Sequence, residues 1–138
     1  MRIIIVGGGE IGYALARALS SDHALFVIDS DPRVAERFDL LDVELLTGSG
    51  TSATLLERAG VNGSGLFIAC TGLDEVNIVA CALSRQLGGG RTICFVSRED
   101  FIHGADGRDS LSARFGVDAV IWPEAQLADA IERIIMAP

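Results

Sequence analysis

Residues Met1–Leu19 read MRIIIVGGGEIGYALARAL: a short apolar run, three consecutive glycines, and then a segment of helical period. Glycine is unfavourable inside strands and helices, so a triplet between them needs a structural reason. Gly7, Gly9 and Gly12 form G-x-G-x-x-G directly after the apolar run and at the start of the helical segment. In that position the first glycine allows a tight turn, the second lets a pyrophosphate approach the backbone, and the third lets the helix pack close to the sheet. Amides at the helix start, with the positive end of its dipole, then point at the anion.

Working outward, apolar runs bounded by turn residues alternate with helical segments, the pattern of a parallel sheet covered on both faces. Strands are expected at Arg2–Val6, Leu25–Asp29, Val43–Leu46, Leu66–Cys70, Thr92–Val96 and Ala119–Ile121. Ile11, Leu15, Ala18 and Leu19 form one apolar helical stripe. Val76, Val79, Ala80, Leu83 and Leu87 form a second, and Leu127, Ile131, Ile134 and Ile135 a third. Shorter helices are expected near Pro32, which suits a first helical position, and near Ser52. Six βα units follow, giving an α/β, doubly wound parallel sheet of Rossmann type in three layers, with residues 1–135 as a single nucleotide-binding domain. The loosest stretch, REDFIHGADGRDS at 98–110, reads as a surface excursion.

Composition agrees with one core-rich domain. The chain has 138 residues, 49% of them apolar, and a mean hydropathy of +0.40. No apolar run approaches the roughly 18 residues of a membrane helix, and the apolar run after Arg2 is too short for a signal peptide, so a cytoplasmic chain is expected. Cys70, Cys81 and Cys94 lie among apolar neighbours and never form C-x-x-C, which suggests buried reduced thiols. A net charge of -8 without a basic cluster argues against nucleic acid as partner.

Asp29 closes the second strand 17 residues after Gly12, where a carboxylate can accept hydrogen bonds from an adenosine ribose. With Asp31 close behind, it would repel a 2'-phosphate and favour NAD or NADH over NADP. Arg33 could pair with Asp29, stack on adenine or be solvated, and solvation is the simplest of the three. Glu10 suits the helix dipole but not a phosphate chain, so it is expected to point outward and to disfavour triphosphates. All 11 basic residues are arginine, which removes Schiff-base lysines and Tyr–Lys reductase pairs. His23 and His103 have no acid placed to orient them, and no metal spacing occurs.

These residues resemble the NAD-binding N-terminal domain of TrkA-type potassium uptake regulators, also called the RCK or KTN domain. IIIVGGGEIG and VIDSDP are similar to its first two strands, LTGSGTSATLLERAGV to its third strand, nucleotide loop and helix, and FGVDAVIWPEAQLADAI to its last strand and helix. LFIACTGLDEVNIVACAL, with T-x-x-D-E-x-N, is the most specific part. The resemblance implies contacts to a nucleotide from Gly7, Gly8, Gly9, Glu10, Ile11, Gly12, Asp29, Ser30, Arg33, Gly48, Ser49, Thr71, Gly72, Asp74 and Asn77, with Asp74 also able to cap its helix. Many relatives carry an acid in the third-strand loop where this chain has Ser49. NAD or NADH, or ATP and ADP, would act as control ligands rather than substrates. The implied partners are a potassium-translocating membrane subunit, approached from its cytoplasmic face without insertion, and a second copy of the domain. The family usually continues into a smaller C-terminal domain, so a fragment of a longer chain is expected. The competing expectation is an NAD-dependent oxidoreductase fragment that supplies only the cofactor-binding domain.

Overall fold

The computed structural model describes residues 1–101 and 114–137. His103 and most of the 98–110 excursion lie outside the described residues. Six parallel strands form one sheet in the order β3-β2-β1-β4-β5-β6. They are β1 (Arg2–Val6), β2 (Ala24–Asp29), β3 (Val43–Thr47), β4 (Leu66–Ala69), β5 (Arg91–Phe95) and β6 (Ala119–Ile121). The helices are α1 (Glu10–Leu19), α2 (Ala53–Arg58), α3 (Asp74–Gln86) and α4 (Pro123–Met136). The segment Pro32–Phe38 is a 3₁₀ helix rather than an α-helix, begun by Pro32 and capped by the Asp31 side chain, which accepts from the Arg33 amide at 2.9 Å. A short 3₁₀ turn, Glu99–Phe101, follows β5.

β1 lies at the centre, and its alternation builds both layers. Ile3 and Ile5 pack on the α1 side with Ala16, Val27 and Phe38. Ile4 and Val6 point to the other side, with Leu55 and Leu56 of α2 and Ile78 and Cys81 of α3. A strand buried on both faces has no polar positions to alternate, which is why β1 reads as a continuous apolar run. The order reverses between β1 and β4, so the carboxyl ends of these neighbours part their following loops and open a crevice there.

Two helical stripes turn out differently from the expectation. On α1 the buried residues are Gly12 and Ala16, while Ile11 is exposed. The helix approaches its own glycine loop so closely that only its small-residue face fits. On α3 the inward residues include Asp74, Asn77, Ile78, Cys81 and Ser84, and Val79 faces solvent. Polar residues on the inner face hid this orientation from a purely apolar pattern. The stripe of α4 is uncovered: Leu127, Ile134 and Ile135 are 63%, 75% and 73% exposed. Among the described residues no helix is long and apolar enough to cross a membrane.

Candidate functional site

The glycine loop leaves β1 at Gly7, whose φ of +115° is a conformation that side chains rarely allow. A Cβ there would press on the backbone of Cys70 and Thr71 at 3.0 Å, so the loop lies directly against the end of β4. On Gly12 a Cβ would overlap the carbonyl oxygen of Gly7. Gly9 is the opposite case: a Cβ would meet nothing within 4 Å, because this residue faces the open crevice. It also stands at the N-cap of α1, where no side chain caps the helix. The first amides of α1 are thus left for an anion to satisfy.

Asp29 ends β2 beside this loop. One carboxylate oxygen accepts from the Gly8 amide at 2.7 Å and the other from the Asp31 amide at 2.8 Å. A carboxylate offers about four acceptor positions, so two remain for hydroxyl donors from the crevice. Gly8 is buried and serves by orienting Asp29. Arg33 turns away: its guanidinium forks onto Asp31 at 3.0–3.2 Å and is 89% exposed. Of the three roles open to it, pairing with Asp29 is therefore not the one adopted. The fork raises the Arg33 pKa and, through the same hydrogen bonds, holds the Asp31 carboxyl below its ordinary value.

Two adjoining cavities open at the carboxyl ends of the strands. The first, about 370 Å³, is within the size range of small-molecule sites. Gly7, Gly9, Asp29, Ser30, Gly48, Ser49, Thr71 and Gly72 line it. Gly50, Leu73 and Val76 line it as well and were not expected from the sequence. Ser49 bonds the Thr51 hydroxyl at 2.8 Å and accepts from the Thr51 amide at 3.1 Å, which fixes this turn. The second cavity, about 180 Å³, lies over the ends of β4, β5 and β6. Ile11 and Asp74 line it rather than the first, together with Phe95, Ser97, Pro123 and Glu124. The last four were missed, although each lies just beyond or at the end of an expected strand, where doubly wound folds place their ligands. Cys70, Thr71 and Gly72 line both cavities and form their shared wall.

That wall is fixed by buried side chains. Asn77, 1% exposed, accepts at Oδ1 from the Thr71 amide (2.9 Å) and hydroxyl (2.6 Å). Its Nδ2 donates to the carbonyls of Thr71 (3.1 Å) and Phe95 (2.9 Å). Asp74, 5% exposed, is not a helix cap: Leu73 holds the N-cap position of α3, without a side-chain cap. The Asp74 carboxylate reaches across to β5 and accepts from the Ser97 amide and hydroxyl and from the Arg98 amide at 2.9–3.1 Å. Two amides and a hydroxyl converging just after β5 satisfy this buried charge. Asp74 and Asn77 thus hold the walls, and Asn77 lines neither cavity. Glu10 is exposed in the first turn of α1, as expected, and also lines neither.

All three cysteines are buried and free. Burial and, secondarily, the nearby Asp29 carboxylate push the Cys70 thiol up to about 12, so it stays protonated in the shared wall. His23 stands before β2, at the amino ends of the strands and so at the opposite end of the sheet from the crevice.

The family model of the TrkA-N domain matches residues 3–123. The chain belongs to the TrkA-N family. This TrkA-N domain is 39% identical over 145 residues to the Trk system potassium uptake protein trkA homolog 1 of Methanosarcina mazei, an alignment covering all of this chain and 35% of that protein. The chain spans about a third of the length of the curated relatives it matches first. Among solved structures, the TrkA-N domain of inner membrane protein ybaL from Escherichia coli superposes with a TM-score of 0.83 at 17% identity, covering 96% of this chain and 95% of that one. A structure described as the GsuK channel bound to NAD superposes at 0.74 and 23% identity, covering 91% of this chain and 22% of that one. At these identities the likeness is one of fold, and it confirms the Rossmann-type architecture of the TrkA-N domain.

Proposed function

We propose that this TrkA-N domain is a cytoplasmic control module of potassium uptake that binds NAD or NADH in the crevice and acts on a separate potassium-translocating membrane subunit. The observation that carries the ligand assignment is the placement of Asp29: its carboxylate is held by the Gly8 amide, lines the first cavity, and keeps acceptor positions free beside the uncapped start of α1. The adenosine ribose bonds Asp29, and the pyrophosphate lies over Gly9 at the first amides of α1. The transport role is supported by the potassium uptake proteins to which the whole chain aligns, and NAD by the NAD-bound channel of the same fold. ATP and ADP share the adenosine half but bring more charge to a cavity whose one charged lining residue, among the described residues, is acidic.

The ligand acts as a control signal and is not consumed. Among the described residues, the titratable groups lining the cavities are Asp29, Cys70, Asp74 and Glu124; of these, Cys70 is held protonated and Asp74 is saturated with hydrogen bonds. A second copy of the domain is the other partner, supported by the uncovered apolar stripe of α4. Thermal shifts with NAD, NADH, ADP and ATP test the ligand assignment. A ligand at a hundredfold excess over its Kd adds about 2.7 kcal/mol to folding stability. No shift with any dinucleotide refutes the assignment. Steady NADH oxidation with a simple carbonyl acceptor, abolished by a glycine-loop substitution, would establish the oxidoreductase reading instead.

A further inference from the structure

The strand order sets out how a dinucleotide lies in the first cavity. With its pyrophosphate at Gly9, beyond the end of β1, and its ribose at Asp29, on the end of β2, the base falls beyond the end of β3. The lining there is the turn Gly48–Gly50. Its backbone is pinned at both ends: the Gly48 amide donates to the Asp29 carbonyl at 2.9 Å, and a Cβ on Gly50 would overlap the Val6 side chain. What stays adjustable is the Ser49 hydroxyl.

Among the described residues, no lysine, arginine, histidine, asparagine or glutamine lines this cavity. Apart from Asp29, its polar side chains are the Ser30, Ser49 and Thr71 hydroxyls and the Cys70 thiol. Asp29 holds the Gly8 and Asp31 amides and takes the ribose, Thr71 is tied to Asn77 at 2.6 Å, and Cys70 belongs to the wall shared with the second cavity. The purine edge is left to the serine hydroxyls, and Ser49 is the one on the β3 turn. It accepts from the Thr51 amide at 3.1 Å and shares a 2.8 Å bond with the Thr51 hydroxyl, in which either group can be the donor. When Thr51 donates, the Ser49 proton is free for the crevice; when Ser49 donates, an acceptor position on it is free instead.

Adenine carries an amino donor at its six-position, whereas a 6-oxopurine such as hypoxanthine carries a carbonyl acceptor there. The paired hydroxyls meet either one by reversing a single hydrogen bond. An ionised carboxylate, which only accepts, meets only the first. We infer that the first cavity takes a purine without reading its six-position, so that this domain binds 6-oxopurine dinucleotides about as well as NAD, with the Ser49 and Thr51 hydroxyls making it indifferent. This rests on the dinucleotide assignment made above and adds its base specificity.

The test is calorimetric titration of the domain and of Ser49→Asp with NAD and with nicotinamide hypoxanthine dinucleotide, two ligands that differ only at the purine edge. In the unaltered domain the two affinities agree within about threefold. An aspartate at this position keeps the turn, since its side chain also accepts from the amide two residues on. It cannot donate, so in Ser49→Asp the hypoxanthine form binds about tenfold more weakly than NAD, as expected when a carbonyl is buried against an acceptor. Selectivity is a ratio within one protein, so a loss of stability common to both titrations cancels. A preference for NAD beyond about threefold in the unaltered domain means that a fixed group reads the edge; it overturns the inference without the variant and leaves the nucleotide assignment standing. A Ser49→Asp domain that binds both ligands alike also overturns it, because Ser49 then does not face the base. Failure of both dinucleotides to bind the unaltered domain removes the nucleotide assignment and the base inference with it.

Discussion

Between β1 and β3 the crevice is walled largely by backbone: Gly7 and Gly9, and the turn at Gly48–Gly50, with one carboxylate, Asp29, fastened to the Gly8 amide. Between β4 and β6 the walls are set by side chains reaching across the fold, Asn77 to Thr71 and Phe95, and Asp74 to Ser97 and Arg98. The first half keeps acceptor positions on Asp29 and the first amides of α1 open to the crevice, as a binding surface must. The second half uses up its most buried polar groups on itself. In T-x-x-D-E-x-N, then, the acid and amide brace the crevice, while Thr71, Gly72, Leu73 and Val76 face the first cavity.

If this division of labour holds, substitutions in the two halves separate stability from binding. The largest effect is expected for Asn77→Ala, which leaves the Thr71 amide and the Phe95 carbonyl without their buried partner. Destabilisation of about 2 to 4 kcal/mol should appear as a lower urea midpoint, with ligand affinity falling only through the weakened fold. A loss below 0.5 kcal/mol would mean that the amide braces nothing.

Asp29→Ala comes next and is mixed. NAD affinity should fall roughly tenfold to a hundredfold, from the loss of charged-group hydrogen bonds worth about 1.5 to 3 kcal/mol. Because the Gly8 and Asp31 amides also lose their acceptor, stability should fall too. NADP should lose much less, since the charge that repels its 2'-phosphate is gone. Titration with both dinucleotides, normalised to the fraction folded, separates the two effects; full NAD affinity in the variant would remove Asp29 from the site.

Gly9→Ala sharpens the contrast. Its Cβ meets open space and its φ of -76° suits any residue, so the urea midpoint should hold or rise slightly. A methyl where the pyrophosphate must approach the backbone should still weaken NAD binding, by about tenfold. Unchanged affinity would move the pyrophosphate elsewhere.

The smallest effect is expected at the end of the sheet away from the crevice. Asp118 accepts from the Thr92 amide and pairs with Arg85 at 2.9 Å, and these contacts, led by the Thr92 amide, hold its carboxyl below 3.8. A lowered folded pKa adds stability at every pH above 3.8 and gives it up as pH falls through the folded value. Asp118→Asn should therefore flatten the acid limb of a stability-against-pH curve below about pH 4 and leave NAD binding unchanged.

Much of this was legible in the sequence, because it is local. Arg2–Val6 and Ala119–Ile121 are strands with the bounds expected, since an apolar run next to glycine or proline states both the element and where it stops. The glycine loop, Asp29 at a strand end, and Ser52 capping α2 through the Leu55 amide follow from neighbours a few residues apart. What failed was anything set at a distance. Ile11 stood both in the apolar stripe of α1 and among the expected nucleotide contacts; the close approach of Gly12 to the Gly7 carbonyl turns it out of the core and leaves it lining the second cavity. Asp74 was read as a nucleotide contact also able to cap its own helix, but its hydrogen-bond partners are 23 and 24 residues along the chain.

The sequence by itself determined the parallel, doubly wound sheet and the anion-ready loop at its first turn, because backbone conformation and apolar periodicity are properties of short segments. Only the tertiary structure decided that Arg33 is tied to Asp31, that Asn77 and Asp74 brace the walls, and that Glu124 from the last helix lines a cavity with Ile11 from the first. Those pairings arise where strand order reverses and brings the ends of distant strands together, and no local pattern encodes which side chains meet there.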